Sequence, residues 1–146
     1  MKTVTRALAL VLALTLLLAM SATVFAADDT GSITINNAVV GQPYTIYEIL
    51  YLESYNATEG QEAYSYKATD AWNNFINSDD IKGTYVTVDS QGYVTWKDGA
   101  DVAKFAELAK EYATDNSIQN QGSSKATSAE VKFENLNLGY YLVYSD

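Results

Sequence analysis

The side chains of this chain that could do chemistry are carboxylates and aromatic rings, because the sequence contains neither histidine nor cysteine. That absence excludes a Ser-His-Asp triad, a thiol nucleophile and imidazole or thiolate metal ligands. The carboxylate pairs all fall in predicted loops or at predicted helix starts, where a helix cap or a solvated loop explains them. We therefore predict no catalytic residue, no metal site, no cofactor and no enzymatic activity. The pairs are Asp28 with Asp29, Asp79 with Asp80, and Asp98 with Asp101.

Aromatic residues are the one positive feature of the composition, with 12 Tyr, two Trp and four Phe. Aromatic side chains that alternate along strands commonly pack in a core or across neighbouring strands. Exposed rings can instead form a platform for sugar rings or for a protein partner. Trp72 and Trp96 are the candidate glycan contacts under this second interpretation, which describes a secreted carbohydrate-binding module.

The first 26 residues have the pattern of a secretory signal peptide. Lys2 and Arg6 supply positive charge ahead of a nearly unbroken apolar stretch over 7–20, and smaller residues follow. We predict cleavage between Ala26 and Ala27 and a secreted product without a membrane span. An uncleaved anchor is the alternative, but a spanning helix needs about 20 apolar residues.

Residues 27–146 have the length of one domain, which can bury a core without disulfides. The first 26 residues contain two of the nine basic residues and none of the acidic ones. Seven basic residues therefore face 18 acidic residues in the remainder, a net charge of −11. Such a charge disfavours nucleic acid and anionic lipid surfaces as partners.

The elements that must position these side chains are mostly strands. The segment 44–53 is ambiguous, because its tyrosines have helical spacing while its β-branched residues favour a strand; we predict a long central strand that is apolar on both faces. Alternation on either side of a turn at 90–92 indicates a β-hairpin. A helix over 71–76 and a second beginning at Asp98 or Asp101 complete a mainly β fold, a β-sandwich of about seven strands with two short inserted helices. The predicted strands are 31–36, 44–53, 63–67, 84–89, 93–96, 130–133 and 138–144.

Three ordered segments resemble the N-terminal domain of Gram-positive fimbrial, or pilus backbone, proteins. They read GSITI at 31–35, GQPYTIYEI at 41–49 and FENLNLGYYLV at 133–143, and the segment YVTW at 93–96 before an Ala-rich helix adds to the set. The resemblance implies an Ig-like β-sandwich exported to the cell surface and cell wall. It also implies a sortase substrate that joins neighbouring pilin subunits and supports adhesion to a host or glycan receptor.

The chain departs from the family pattern in its linking signals. Pro43 is its only proline, so it has neither an LPxTG motif nor a YPKN-like lysine motif, and it shows no apolar C-terminal anchor. We expect the domain at 27–146 to be truncated before further domains, with the linking lysine beyond Asp146.

Members of the resembling family often contain an internal isopeptide bond, which joins a lysine on the first strand to Asn or Asp on the last, beside a buried acid. The first predicted strand here has no lysine. Lys67 and Lys132 lie on other strands, and the last strand offers no asparagine. We therefore predict no internal isopeptide bond.

Overall fold

The computed structural model describes residues 30–56 and 58–145. Within these residues the chain is mainly β, with eight strands and two helices in antiparallel sheets. The predicted export signal, its predicted cleavage point at Ala26 and Ala27, and the Asp28 and Asp29 pair lie outside the described residues. The elements are β1 (Thr30–Asn36), β2 (Pro43–Asn56), β3 (Ala63–Ala68), a 3-10 turn (Asp70–Trp72), α1 (Asn73–Ile76), β4 (Val86–Val88), β5 (Tyr93–Trp96), α2 (Val102–Asp115), β6 (Gly122–Lys125), β7 (Glu130–Asn137) and β8 (Gly139–Ser145).

The 14-residue strand β2 is the centre of the larger sheet. Strands β6 and β8 both pair antiparallel with residues 44–46, so they must lie on opposite edges of β2. Strands β3 and β8 both pair with Leu50 and Tyr51, which places β3 on the same edge as β6. The sheet continues from β3 through β5 to β4. The prediction of a long central strand is therefore confirmed.

Strands β1 and β7 form a separate two-stranded antiparallel sheet. Val131 and Phe133 of β7 belong to the same buried cluster as Tyr44 and Ile46 of β2, so this small sheet covers one face of the larger one. Tyr47 of β2 belongs to a second cluster, formed with the helices on the opposite face. Because β2 is covered on both faces, its sequence is apolar at consecutive positions and does not alternate.

The helices carry aromatic side chains into the second cluster. Trp72 comes from the 3-10 turn and Phe75 from α1. Phe105 comes from α2, which also contributes Ala109. Asp101 is the N-cap of helix α2, and its carboxylate accepts a hydrogen bond from the backbone N–H of Lys104 at 3.0 Å. This contact satisfies one of the free N–H groups of the first turn and decides between the two predicted starts.

The hairpin predicted around residues 90–92 is confirmed by β4 and β5. Val86 pairs with Trp96, and Val88 pairs with Val94. At the turn, the Asp89 carboxylate accepts hydrogen bonds from the following backbone at 2.8 and 2.9 Å.

Strand β6 was not expected, because residues 115–128 are polar and predict a loose segment. Its four residues, Gly122–Lys125, pair with the edge of β2 at 43–46. Backbone hydrogen bonds to an available edge, and not an apolar pattern, make this segment a strand. Within residues 30–56 and 58–145, no helix has both the length and the apolar character needed to cross a membrane.

Candidate functional site

An aromatic pocket of about 280 Å³ lies where the end of β5, the first turn of α2 and the start of β8 meet. Trp96, Phe105 and Tyr140 form its aromatic walls, and Val102 and Leu142 add aliphatic surface. At the rim, Val102 is 62 % exposed and Tyr140 is 39 % exposed. The pocket is therefore an apolar recess that opens to solvent through a hydrophobic rim.

The rings of the aromatic pocket hold one another in fixed orientations. Trp96 lies edge-on to Phe105, with ring centroids 4.8 Å apart, and tilted against Tyr140 at 5.9 Å. Tyr140 is also edge-on to Tyr66 at 4.8 Å. Such edge-to-face packing adds stability beyond the buried area.

One polar atom of a residue that lines the aromatic pocket has no partner in the described part of the chain. The indole nitrogen of Trp96 is buried and makes no hydrogen bond among the described residues. A buried N–H without an acceptor costs stability. The pocket therefore suits a flat, largely apolar surface. Its lining residues include no carboxylate or lysine that could transfer a proton near neutral pH.

The two tryptophans predicted as glycan contacts have different environments. Trp96 is partly exposed and lies in the aromatic pocket. Trp72 is only 1 % exposed, edge-on to Tyr47 at 6.1 Å and to Phe75 at 5.5 Å. No ring face of Trp72 is left for a sugar, so the structure does not support that residue as a contact. Burial depends on tertiary packing and could not be read from the residue type.

A second candidate site, which the sequence did not predict, is polar and is centred on Glu48. This side chain lies on β2 and is 7 % exposed. Its Oε2 accepts a hydrogen bond from the side-chain amide of Asn137 at 3.5 Å, while Oε1 is buried without a partner among the described residues. Burial raises the pKa of Glu48, and the neighbouring side chains of Asn137 and Tyr141 offset part of that rise.

Tyr141 of β8 completes the Glu48 site. Its hydroxyl donates to the backbone carbonyl of Asn137 at 2.9 Å. Burial, followed by the nearby charge of Glu48, raises the pKa of Tyr141 to about 12, so the phenol stays protonated and can donate. The sequence signal for this site was one acidic residue inside an otherwise apolar run.

The two lysines considered for an isopeptide bond form ion pairs outside the Glu48 site. Lys67 pairs with Glu53 at 3.1 Å, and Lys132 pairs with Glu134 at 2.5 Å. Glu48 and Asn137 do place a buried acid beside an asparagine. The absence of an isopeptide bond stays a prediction, which intact mass measurement would test.

The carboxylates of the loops are dispersed. Asp101 caps α2, and Asp79, Asp80 and Asp98 are exposed. Among the described residues, no group of three or more acidic side chains could hold a metal ion.

No protein-family model, no curated protein and no solved structure matches this chain. Its functional interpretation therefore rests on the residues and their geometry.

Proposed function

We propose that this chain is an exported structural domain of a Gram-positive pilus or fimbria, a substrate of sortase-mediated assembly that supports adhesion at the cell wall. The observation that best supports the proposal is that the segments resembling pilus backbone proteins pair with one another as neighbouring strands. Segment 31–35 lies in β1 and pairs with β7, and segment 44–49 lies in β2 and pairs with β8. Segment 133–143 contains most of β7 and β8, so it supplies both pairing partners. The resemblance thus covers residues about 100 positions apart that form one structural unit.

The finer fold that we propose is an Ig-like β-sandwich. Its support is the buried cluster between the β1–β7 sheet and the β2–β8 part of the larger sheet, which includes Ile46, Val131 and Phe133. Two antiparallel sheets that enclose a shared core are the basis of such sandwiches. The helices cover the outer face of the larger sheet, as inserts between β3 and β4 and between β5 and β6.

The positions of the ionisable groups agree with a structural role that involves no catalysis. The Glu48 site is buried and joins strands, and the exposed carboxylates are scattered or cap turns. We therefore propose that neighbouring pilin subunits and sortase are the partners and that the domain itself catalyses no reaction.

The test is cell-wall fractionation of the source bacterium, followed by immunoblotting with an antibody against residues 27–146. We expect a ladder of high-mass species that survives boiling in detergent and collapses to one species when sortase is deleted. N-terminal sequencing should begin at Ala27. A single low-mass species in the culture medium, unchanged by sortase deletion, would contradict the proposal.

A carbohydrate-binding module is the second candidate, and the aromatic pocket is the observation that favours it. Trp96 and Tyr140 present ring surface to the pocket, which is the part of the site that a sugar ring could stack against. Glycan-array binding followed by calorimetry tests this function. Loss of binding in Trp96→Ala, with binding retained in Tyr64→Ala as an exposed aromatic control, would support it. Absence of binding across a broad array would exclude it.

A further inference from the structure

Two tyrosines lie opposite each other at the outer end of the hairpin formed by β2 and β3, and we call them the hairpin tyrosine pair. Tyr55 of β2 is the direct cross-strand neighbour of Tyr64 of β3. Their rings are stacked, with centroids 4.5 Å apart and planes 25° from parallel. Side chains directly opposite on adjacent strands point to the same face of the sheet, so the strand pairing itself holds the two rings in contact.

This end of the hairpin lies outside the core. Tyr64 is 56 % exposed and Tyr55 is half-buried, and no residue of 53–56 or 63–64 is buried. The end of the hairpin is therefore held by contacts between its two strands and not by packing in a core. Both rings are accessible to solvent and have room to turn.

Two phenol rings in contact can be joined by one-electron oxidation. Each phenol loses one electron and one proton and becomes a tyrosyl radical, whose unpaired electron is shared with the ring carbons ortho to the oxygen. The two radicals form a carbon–carbon bond between ortho carbons, and the hydrogens on those carbons move to the oxygens and restore both phenols. Hydrogen peroxide, used by a haem peroxidase, takes up the two electrons and two protons and leaves as two molecules of water. The product, dityrosine, is lighter than two tyrosines by two hydrogen atoms.

Proximity favours this reaction at the hairpin tyrosine pair. Groups that are held in contact react far faster than groups that must meet by diffusion. The stacked rings must turn until their edges meet, which their exposed position allows. Tyr47 and Tyr144 are also stacked, but their centroids are 5.8 Å apart and Tyr47 is only 7 % exposed. An oxidant has little access to that ring, and the surrounding core restricts its rotation.

Tyr66 is the competing partner for Tyr64, because it lies two residues further along β3. Its ring centroid is 6.5 Å from that of Tyr64, compared with 4.5 Å for Tyr55. Tyr66 also packs against the helix-side core cluster and lies edge-on to Tyr140 at 4.8 Å. Distance and packing therefore both favour Tyr55 as the partner of Tyr64.

We propose that the hairpin tyrosine pair is a site of oxidative modification, at which an external peroxide joins Tyr55 to Tyr64 as dityrosine. The chain contains no cysteine, so a disulfide cannot join these strands. A bond between the two rings would tie the outer ends of β2 and β3 together and suppress local opening of the hairpin. This inference stands on the fold and does not depend on the pilus function.

The experiment treats the dilute purified protein with hydrogen peroxide and a haem peroxidase, and then digests it with proteases that cut after glutamate and after lysine. Digestion releases peptide 54–59, in which Tyr55 is the only tyrosine, and peptide 63–67, which contains Tyr64 and Tyr66. Without oxidation the two peptides separate. After oxidation we expect them to be joined, with a combined mass reduced by two hydrogen atoms. Fragmentation in the mass spectrometer should place the bond at Tyr64.

Conservative variants and an unfolded control decide the outcome. Tyr64→Phe keeps the ring stack but lacks the phenol, so it should lose the joined peptide, whereas Tyr66→Phe should retain it. Oxidation in concentrated urea should remove the preference for this pair, because the fold no longer holds the rings together. Three results would overturn the proposal: a bond at Tyr66, dityrosine between chains while peptide 54–59 remains unlinked, or an equal yield of the joined peptide from folded and unfolded protein.

Discussion

The side-chain amide of Asn137 on β7 lies 3.5 Å from Oε2 of Glu48 on β2, which joins the small sheet to the large one through a buried carboxylate. Tyr141 on β8 is the cross-strand neighbour of Glu48 and donates its hydroxyl to the backbone carbonyl of Asn137, so three strands meet at one acidic group. A buried carboxylate with one unpartnered oxygen destabilises the fold when it is ionised. The ionisation of Glu48 can therefore be used to follow the packing between the two sheets.

The raised pKa of Glu48 predicts a specific pH dependence of stability. The folded protein holds this proton more tightly than the unfolded chain does, so the contribution is fully present below the ordinary pKa of 4.5. It is lost as the pH rises through the folded pKa, by up to about 1.4 kcal/mol for each pH unit between the two pKa values. Relative to wild type, Glu48→Gln should therefore gain stability between pH 4 and pH 8 in urea unfolding.

Glu134→Gln is the control for that experiment, because its effect on stability should depend on pH in the opposite direction. Lys132 lowers the pKa of Glu134, so its contribution is lost as the pH falls, and the effect should be small because the pair is exposed. A stability difference between wild type and Glu48→Gln that does not change with pH would contradict the buried position of Glu48.

Gly139 is predicted to be intolerant of any side chain. A Cβ at this position would overlap the backbone carbonyl of Leu50, and backbone cannot move aside as a flexible side chain can. Gly139→Ala should therefore reduce the free energy of unfolding by on the order of 3 kcal/mol. Gly31→Ala is the matched control, because its Cβ would meet Leu138 at an ordinary 3.5 Å, and a change within about 0.5 kcal/mol is expected. Equal losses in the two variants, measured by urea unfolding, would refute this account.

Ser117 should be replaceable by glycine with a gain in stability. It follows helix α2 with a φ of 50°, and the N–H of Ile118 bonds to the carbonyl of Ala113 at 2.9 Å across it. This arrangement is a Schellman motif, in which glycine avoids the strain of a left-handed backbone. Ser117→Gly should raise stability by about 0.5 kcal/mol, measured by thermal unfolding, whereas Ser117→Ala keeps the Cβ and should give no gain.

Trp72 should contribute strongly to stability, as a fully buried ring of the helix-side cluster. Trp72→Ala removes contacts with Tyr47, Phe75 and Tyr112, and a loss of about 3–5 kcal/mol is expected. Tyr64→Ala removes a ring that is 56 % exposed and should cost less than about 1 kcal/mol. Far-UV circular dichroism during urea unfolding compares the two. A mild effect of Trp72→Ala would place that ring at the surface.

The sequence alone determined the features that depend on local backbone preference and side-chain type. The run apolar on both faces predicted β2, alternation around Gly92 predicted the β4–β5 hairpin, and the acidic residues at 98 and 101 limited the start of α2. A glycine within a strand, as at Gly139, indicates a bulge or a close backbone contact, and the structure shows close contact with the backbone of Leu50. The absence of histidine and cysteine limited the available chemistry before any fold was known.

Only the tertiary structure decided which residues meet and which are covered. The polar segment at 122–125 became β6 because an edge of β2 was free beside it. Trp72 and Trp96 are the same residue type, yet one is in the core and the other lines a pocket. Glu48 was one acid in an apolar run until packing placed Asn137 and Tyr141 against it. Strand alternation reports which side of a sheet a residue faces, whereas burial and pairing depend on contacts between segments distant in sequence.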